Sequence, residues 1–155
     1  MRAPYVVGIA PNPQPSLGGS VFRHRPMMPV EFGGAAAALT RTGILDTGAD
    51  DTVLPDWIAS AIGVDLDGAE ERKLALPGGA VVRCRYASVS LGITDGVRET
   101  YRWTAVVCFV PSLPRPVLGH AGFLQFFDVE FRGADREVIL TPNRSFPGSG
   151  VPAVP

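Results

Sequence analysis

Gly43-Ile44-Leu45-Asp46-Thr47-Gly48-Ala49-Asp50-Asp51-Thr52-Val53-Leu54-Pro55 is the run whose reading decides the fold. An apolar pair, Ile44-Leu45, leads into Asp46-Thr47-Gly48, and a second apolar pair, Val53-Leu54, follows a short polar stretch. Apolar pairs on both sides of turn residues read as two buried strands meeting at a tight bend. A carboxylate at such a bend is held at a fixed point, which is what a group that activates water at a carbonyl requires. Gly48 is expected to give the bend its backbone freedom and to let a ligand approach closely. The short Thr47 hydroxyl can hydrogen-bond backbone groups and hold the loop. Asp and Gly also occur in ordinary turns, so Asp-Thr-Gly alone fits an inert strand connection. Its apolar frame sets it apart.

A second element lies downstream, Pro116-Val117-Leu118-Gly119-His120-Ala121-Gly122-Phe123-Leu124. It reads as a short strand, a Gly turn and a short helix. An alternating strand follows, in which Phe126, Phe127, Val129 and Phe131 surround Asp128 and Glu130. In order and spacing, the two elements resemble the retroviral-type aspartic proteases, the retropepsins, over about residues 28–141. The resemblance implies a mainly β fold, a closed antiparallel β-barrel-like acid-protease lobe with one or two short helices. It implies that the Val117-Leu118 strand passes beside the active-site loop and supports it. It implies Asp46, Thr47 and Gly48 as the catalytic group, with Gly48, Asp50 and Asp51 contacting a peptide and Ala49, Val53 and Val117 lining pockets. This chain departs from the family at His120, where an Arg commonly pairs with the acid that corresponds to Asp50. A histidine can still hydrogen-bond that carboxylate when neutral and pair with it when protonated.

Between the two elements, Lys73-Leu74-Ala75-Leu76 and Ala80-Val81-Val82-Arg83-Cys84-Arg85-Tyr86 flank Pro77-Gly78-Gly79. Two strand-like runs around a Gly-Gly turn read as a hairpin. The resemblance makes it the flap that closes over substrate, with Pro77, Gly78 and Gly79 at its tip in contact with the peptide. Thr52 to Ile62 can hold one short helix, with Pro55 near its start and Gly63 ending it.

The chain holds one Asp-Thr-Gly, since Ile93-Thr94-Asp95-Gly96 lacks the hydroxyl residue between Asp and Gly. Aspartic peptidases need two carboxylates that share one proton. The partner must therefore come from symmetry, through a homodimer that brings two Asp46 side chains together. The segments Phe126 to Phe131 and Glu137 to Leu140 are the expected source of intersubunit strand pairing. The reading is a homodimeric aspartic endopeptidase acting on a peptide or protein substrate, with no metal or other cofactor called for. The alternative is a dimerisation or peptide-binding module on the same fold, with little or no proteolytic activity.

At 155 residues the chain suits one domain with a real core. The expected division is an N-terminal strand and loop extension over 1–20, the protease-like domain over 21–141, and a flexible Pro/Gly-rich tail over 142–155. In the first of these, Tyr5 to Ile9 reads as a strand and Pro11 to Ser20 as a turn or loop. The formal net charge is −1 and the arginines are scattered, which argues against nucleic acid as a partner. No stretch reaches the length of a membrane span, and the start makes no convincing signal segment. A cytoplasmic location is the expectation. Cys84 and Cys108 lack metal or redox spacing and are expected to be buried reduced thiols rather than a bridge.

Overall fold

The computed structural model describes residues 1–75, 79–111 and 113–151. Three strands open the chain: β1 (Arg2–Pro4), β2 (Val6–Gln14) and β3 (Ser20–Arg25). Then come β4 (Met27–Gly33), β5 (Ala38–Leu45), β6 (Val53–Pro55) and α1 (Asp56–Ile62), the single α-helix among the described residues. Strands β7 (Glu70–Ala75), β8 (Val81–Thr94), β9 (Thr100–Val110) and β10 (Val117–Leu118) follow. The chain continues with β11 (Phe127–Arg132), β12 (Glu137–Pro142) and β13 (Ser149–Val151). Two 3-10 turns, Pro15–Leu17 and Leu124–Phe126, complete the helical content.

Six strands close on themselves through hydrogen bonds in the order β9-β6-β10-β5-β4-β8 and back to β9. The expected mainly β, barrel-like lobe is what the chain builds. Its closure depends on two parallel pairings, β10 with β5 and β6 with β9, inserted among antiparallel ones. Both involve strands of two or three residues, too short to declare themselves by alternation.

Inside the ring, Phe32, Leu54, Ile58, Leu91, Phe109, Leu118 and Phe123 are almost wholly buried. Burying a side chain such as Leu118 contributes about 1.5–3 kcal/mol, so these positions hold the lobe together. Trp103 organises the end of the core. Its indole N–H donates to the Gly122 carbonyl at 3.0 Å, and its ring meets Phe123, Phe127 and Phe146 edge-on at 5.3–5.7 Å.

The helix is shorter than its sequence pattern. Val53–Pro55 is a strand, paired in parallel with Cys108, Phe109 and Val110, and only Asp56–Ile62 is helical. The β-branched Thr52 and Val53 fit the pleated interior better than a first helical turn. Gly63, at φ +74°, ends the helix as expected, and its N–H bonds to the Ala59 carbonyl.

Three further regions differ from the sequence reading. Pro11 to Gln14 lies within β2 rather than in a loop, after a register irregularity past Ile9. Prolines are tolerated there because the two-stranded β2–β3 sheet has open edges that need no donor. Strand β12 is not free for intersubunit pairing, because β1 covers one of its edges and β11 the other. The pairing of Arg2, Ala3 and Pro4 with Ile139, Val138 and Glu137 uses the donors and acceptors that a second chain would need. Within the stretch assigned to the tail, β13 pairs with β9 at Thr100 to Arg102, and Phe146 packs on Tyr101 and Trp103.

Candidate active site

Strand β5 ends at Leu45, and the chain turns at Asp46-Thr47-Gly48 before entering β6. The turn hangs on β10 and the segment after it. The Asp46 N–H donates to the Leu118 carbonyl at 3.1 Å and the His120 N–H to the Ala49 carbonyl at 2.8 Å. The Ala121 N–H bonds to the Asp50 carbonyl at 2.7 Å, and the Thr52 N–H returns to the Ala121 carbonyl at 2.9 Å. These four backbone bonds make Asp46 to Thr52 an ordered continuation of the sheet interior. The Val117-Leu118 strand thus lies where expected, paired in parallel with Ile44 and Leu45.

Gly119 permits this approach. A Cβ there would overlap the Asp51 carbonyl and stand 2.7 Å from the Ala49 oxygen. No residue larger than glycine fits between the two segments. The sequence displays Gly119 within a recognisable motif, but its partners lie some seventy residues back along the chain.

Asp46 is exposed, as are Thr47 and Gly48. The Gly48 N–H donates to Asp46 Oδ1 at 3.0 Å, which orients the carboxylate. Gly48 differs from its expected role, since it is not among the glycines with positive φ. A Cβ at this position would stand 3.3 Å from Asp46 Oδ1. Its smallness makes room for the carboxylate; the bend itself does not require left-handed backbone. Among the described residues the Thr47 hydroxyl makes no hydrogen bond.

The two following acids diverge. Asp50 is exposed, and no ion pair or side-chain hydrogen bond joins it to His120, which is also exposed. The two residues are linked only through the backbone, by the bonds of His120 to Ala49 and of Ala121 to Asp50. Asp51 has a side-chain partner instead, the Tyr86 hydroxyl, which donates to Asp51 Oδ2 at 2.8 Å. Burial first, and then this bond to the carboxylate, push the Tyr86 phenol well above its ordinary range. The Arg72 guanidinium of β7 covers the Tyr86 ring at 5.8 Å and so packs on the side chain that β8 sends to the loop. Alternation along β8 could have shown that Cys84 and Tyr86 share an inward face. The pairing with Asp51, thirty-five residues away, could not be read.

Below the loop, Val53, Cys84, Cys108 and Val110 form a small buried cluster, with Val117, Tyr86 and Leu74 packed against it. Val53 is cross-strand to Val117, and Ala49 is half-buried at the rim. The two cysteines are free thiols. Burial, and next the Cys84 thiol beside it, raise the Cys108 thiol above its usual value. Thr52 is wholly buried, and its hydroxyl has no hydrogen-bond partner among the described residues.

The β7–β8 hairpin, expected as the flap, pairs in register from Glu70↔Tyr86 to Ala75↔Val81. Gly79 is exposed with φ +82°, which suits a glycine turn. Pro77 and Gly78, expected at the tip with it, lie outside the described residues.

A closed six-strand lobe with an exposed Asp-Thr-Gly turn braced by an apolar-apolar-Gly strand defines the acid-protease class, in its single-lobe, retropepsin-like form. The family model described as aspartyl protease matches residues 28–120, more than half of the chain, and the chain belongs to that family. No curated protein matches it significantly. Among the described residues, no helix is long and apolar enough to cross a membrane.

Proposed function

We propose that the chain is a homodimeric aspartic endopeptidase whose catalytic pair is Asp46 from each of two copies. The observation that carries this reading is the exposed Asp46 carboxylate, oriented by the Gly48 N–H on a turn tied to Leu118 and His120. One lobe supplies one carboxylate, so a two-fold axis passing beside Asp46 has to supply the second. The pair holds a water and shares one proton, since two adjacent carboxylates cannot both ionise cheaply. The ionised Asp46 takes a proton from the water as it attacks the scissile carbonyl. The protonated Asp46 hydrogen-bonds that carbonyl oxygen and transfers its proton to it as the tetrahedral centre forms. The resulting diol collapses as a carboxyl group passes a proton to the leaving nitrogen, which breaks the C–N bond. Thr47, whose hydroxyl has no partner within the lobe, bonds across the axis. Asp50 and Asp51 contact the peptide, and Ala49, Val53 and Val117 line its side-chain pockets. The β7–β8 hairpin covers the cleft, with its tip at Pro77, Gly78 and Gly79.

The test is Asp46→Asn, which keeps the shape and removes the ionisable group. The variant should fold and dimerise like the wild type and cleave no peptide, and a pepstatin-like inhibitor should stop the wild type. Wild-type specific activity should fall on dilution, and excess Asp46→Asn chain should suppress it by forming dead heterodimers. Equal cleavage by the variant would overturn the assignment of Asp46. A rate per chain that ignores both dilution and mixing would overturn the dimer.

A further inference from the structure

Among the described residues, Tyr86 is the one side chain from elsewhere in the fold that hydrogen-bonds a side chain of the loop from Asp46 to Thr52. Its own position is fixed from several sides. Strand β8 pairs with β7 and β9 at once there, so that Tyr86 faces Glu70 on one edge and Cys108 on the other. Its ring packs against the buried cluster of Val53, Cys84, Cys108 and Val110, and the Arg72 guanidinium covers it at 5.8 Å. Asp51 is held less firmly. An isolated parallel bridge to Ala121 fixes its backbone, and its side chain is half-buried. The carboxylate has staggered alternatives about its first side-chain bond, and the Tyr86 hydroxyl, at 2.8 Å from Oδ2, selects one of them. The better-anchored partner sets the position of the other, so the hairpin places the loop carboxylate.

The residue type points to a role beyond packing. A phenylalanine would fill the same space without a hydroxyl to desolvate, whereas a half-buried tyrosine needs a partner for its O–H. An ionised Asp accepts at both oxygens and donates at neither. Tyr86 takes Oδ2, while Oδ1 of Asp51 has no hydrogen bond or ion pair among the described residues. That second oxygen is left to accept from a donor on a bound peptide.

We propose that Tyr86 is a positioning residue for substrate binding, its hydroxyl clamping Asp51 Oδ2 so that Oδ1 stands ready for a peptide N–H. It acts through Asp51 and not on the reacting atoms. The inference rests on the endopeptidase reading and deepens it, by adding to the site a residue thirty-five positions beyond Asp51. An acceptor placed before the peptide arrives lowers the ordering cost of binding. The same contact serves ground state and transition state alike, so its loss falls on KM and not on kcat.

The test compares amide hydrogen exchange and peptide cleavage in the full chain, as wild type, Tyr86→Phe, Asp51→Ala and the double variant. The Thr52 and Ala121 amides join the loop to the segment after β10, whereas Leu91 and Phe109 lie in the core. Tyr86→Phe should speed exchange at the first pair at least about fivefold more than at the second. Asp51→Ala removes the same bond from the loop end and should do likewise, and the double variant should exceed either by less than about twofold. In cleavage, Tyr86→Phe should raise KM roughly five- to tenfold and change kcat by less than about twofold. Exchange that quickens uniformly through the lobe, or a double variant in which the two effects sum, would make Tyr86 a packing residue and overturn the clamp. An unchanged KM would overturn it too, as would a loss confined to kcat. A wild type that cleaves no peptide, with the loop-specific exchange pattern intact, would instead remove the endopeptidase reading and leave Tyr86 as the residue that places Asp51.

Discussion

Two stretches of chain meet at Leu45, and they are built in opposite ways. The Asp-Thr-Gly turn and its continuation, Asp46 to Thr52, are short and polar, yet their backbone is tied at four points to β10 and the segment after it. The β2–β3 hairpin is longer and more apolar, yet it pairs only with itself and leaves Ile9 and Phe22 open. Polar composition therefore did not leave the turn untied, nor did apolar composition bury the hairpin. What separates them is whether backbone donors and acceptors find partners in the closed ring. A catalytic carboxylate has to be held by the first kind of structure.

The largest expected effect falls on the tied side. Gly119→Ala pushes a methyl group into the Asp51 and Ala49 carbonyls, and Ala49 is already fixed by the His120 N–H. Overpacking of this kind costs about 1–3 kcal/mol or more, so the melting temperature should drop by several degrees and cleavage should fall with it. A wild-type melting curve for this variant would break the contrast, because the turn would then be able to move.

Tyr86→Phe comes next. It keeps the ring under Arg72 and removes the donor to Asp51, at a cost of about 1 kcal/mol for a half-buried bond to a carboxylate. The sign with pH follows from the raised phenol. Its contribution is fully present below the ordinary tyrosine value of 10.0 and is lost as pH rises through the higher folded value. The variant should therefore lose stability relative to wild type at neutral pH and narrow that gap in strong alkali, as chemical denaturation across pH would measure. A gap that widens with pH would refute the bond.

Thr52→Val carries the opposite sign. The Thr52 hydroxyl is buried without a partner, and an unsatisfied buried polar group is unfavourable. An isosteric methyl should leave stability unchanged or raise it by up to about 1 kcal/mol, visible as a higher denaturant midpoint with an unchanged slope. A clear loss would show that the hydroxyl has a partner in solution and that the turn is held by more than backbone.

The smallest effect belongs to the hairpin. Ile9→Ser, measured below the dimer dissociation constant, should change the lobe's stability by less than about 0.5 kcal/mol, as expected at a surface position without structural partners. A larger loss would mean that the hairpin folds back on its own lobe, and would erase the distinction between the two stretches.

The sequence by itself determined the location of the carboxylate and the class of fold. Asp46-Thr47-Gly48 and Val117-Leu118-Gly119 are local patterns, because a bend between buried strands needs apolar flanks and turn residues in contiguous order. The β7–β8 hairpin was legible for the same reason, as alternation and glycine act over neighbouring residues. Only the tertiary structure decided what holds those patterns together. It put the Tyr86 hydroxyl on Asp51 and gave Asp50 and His120 no side-chain hydrogen bond or ion pair with each other. It made Val53–Pro55 a strand rather than a first helical turn. It closed both edges of β12 with the chain's own strands and gave Gly48 the task of making room for a carboxylate. These outcomes depend on residues distant in sequence arriving within a few ångströms of one another, and the ring that brings them there closes through strands of two and three residues. Such strands carry too little periodicity to be read before the surrounding sheet exists.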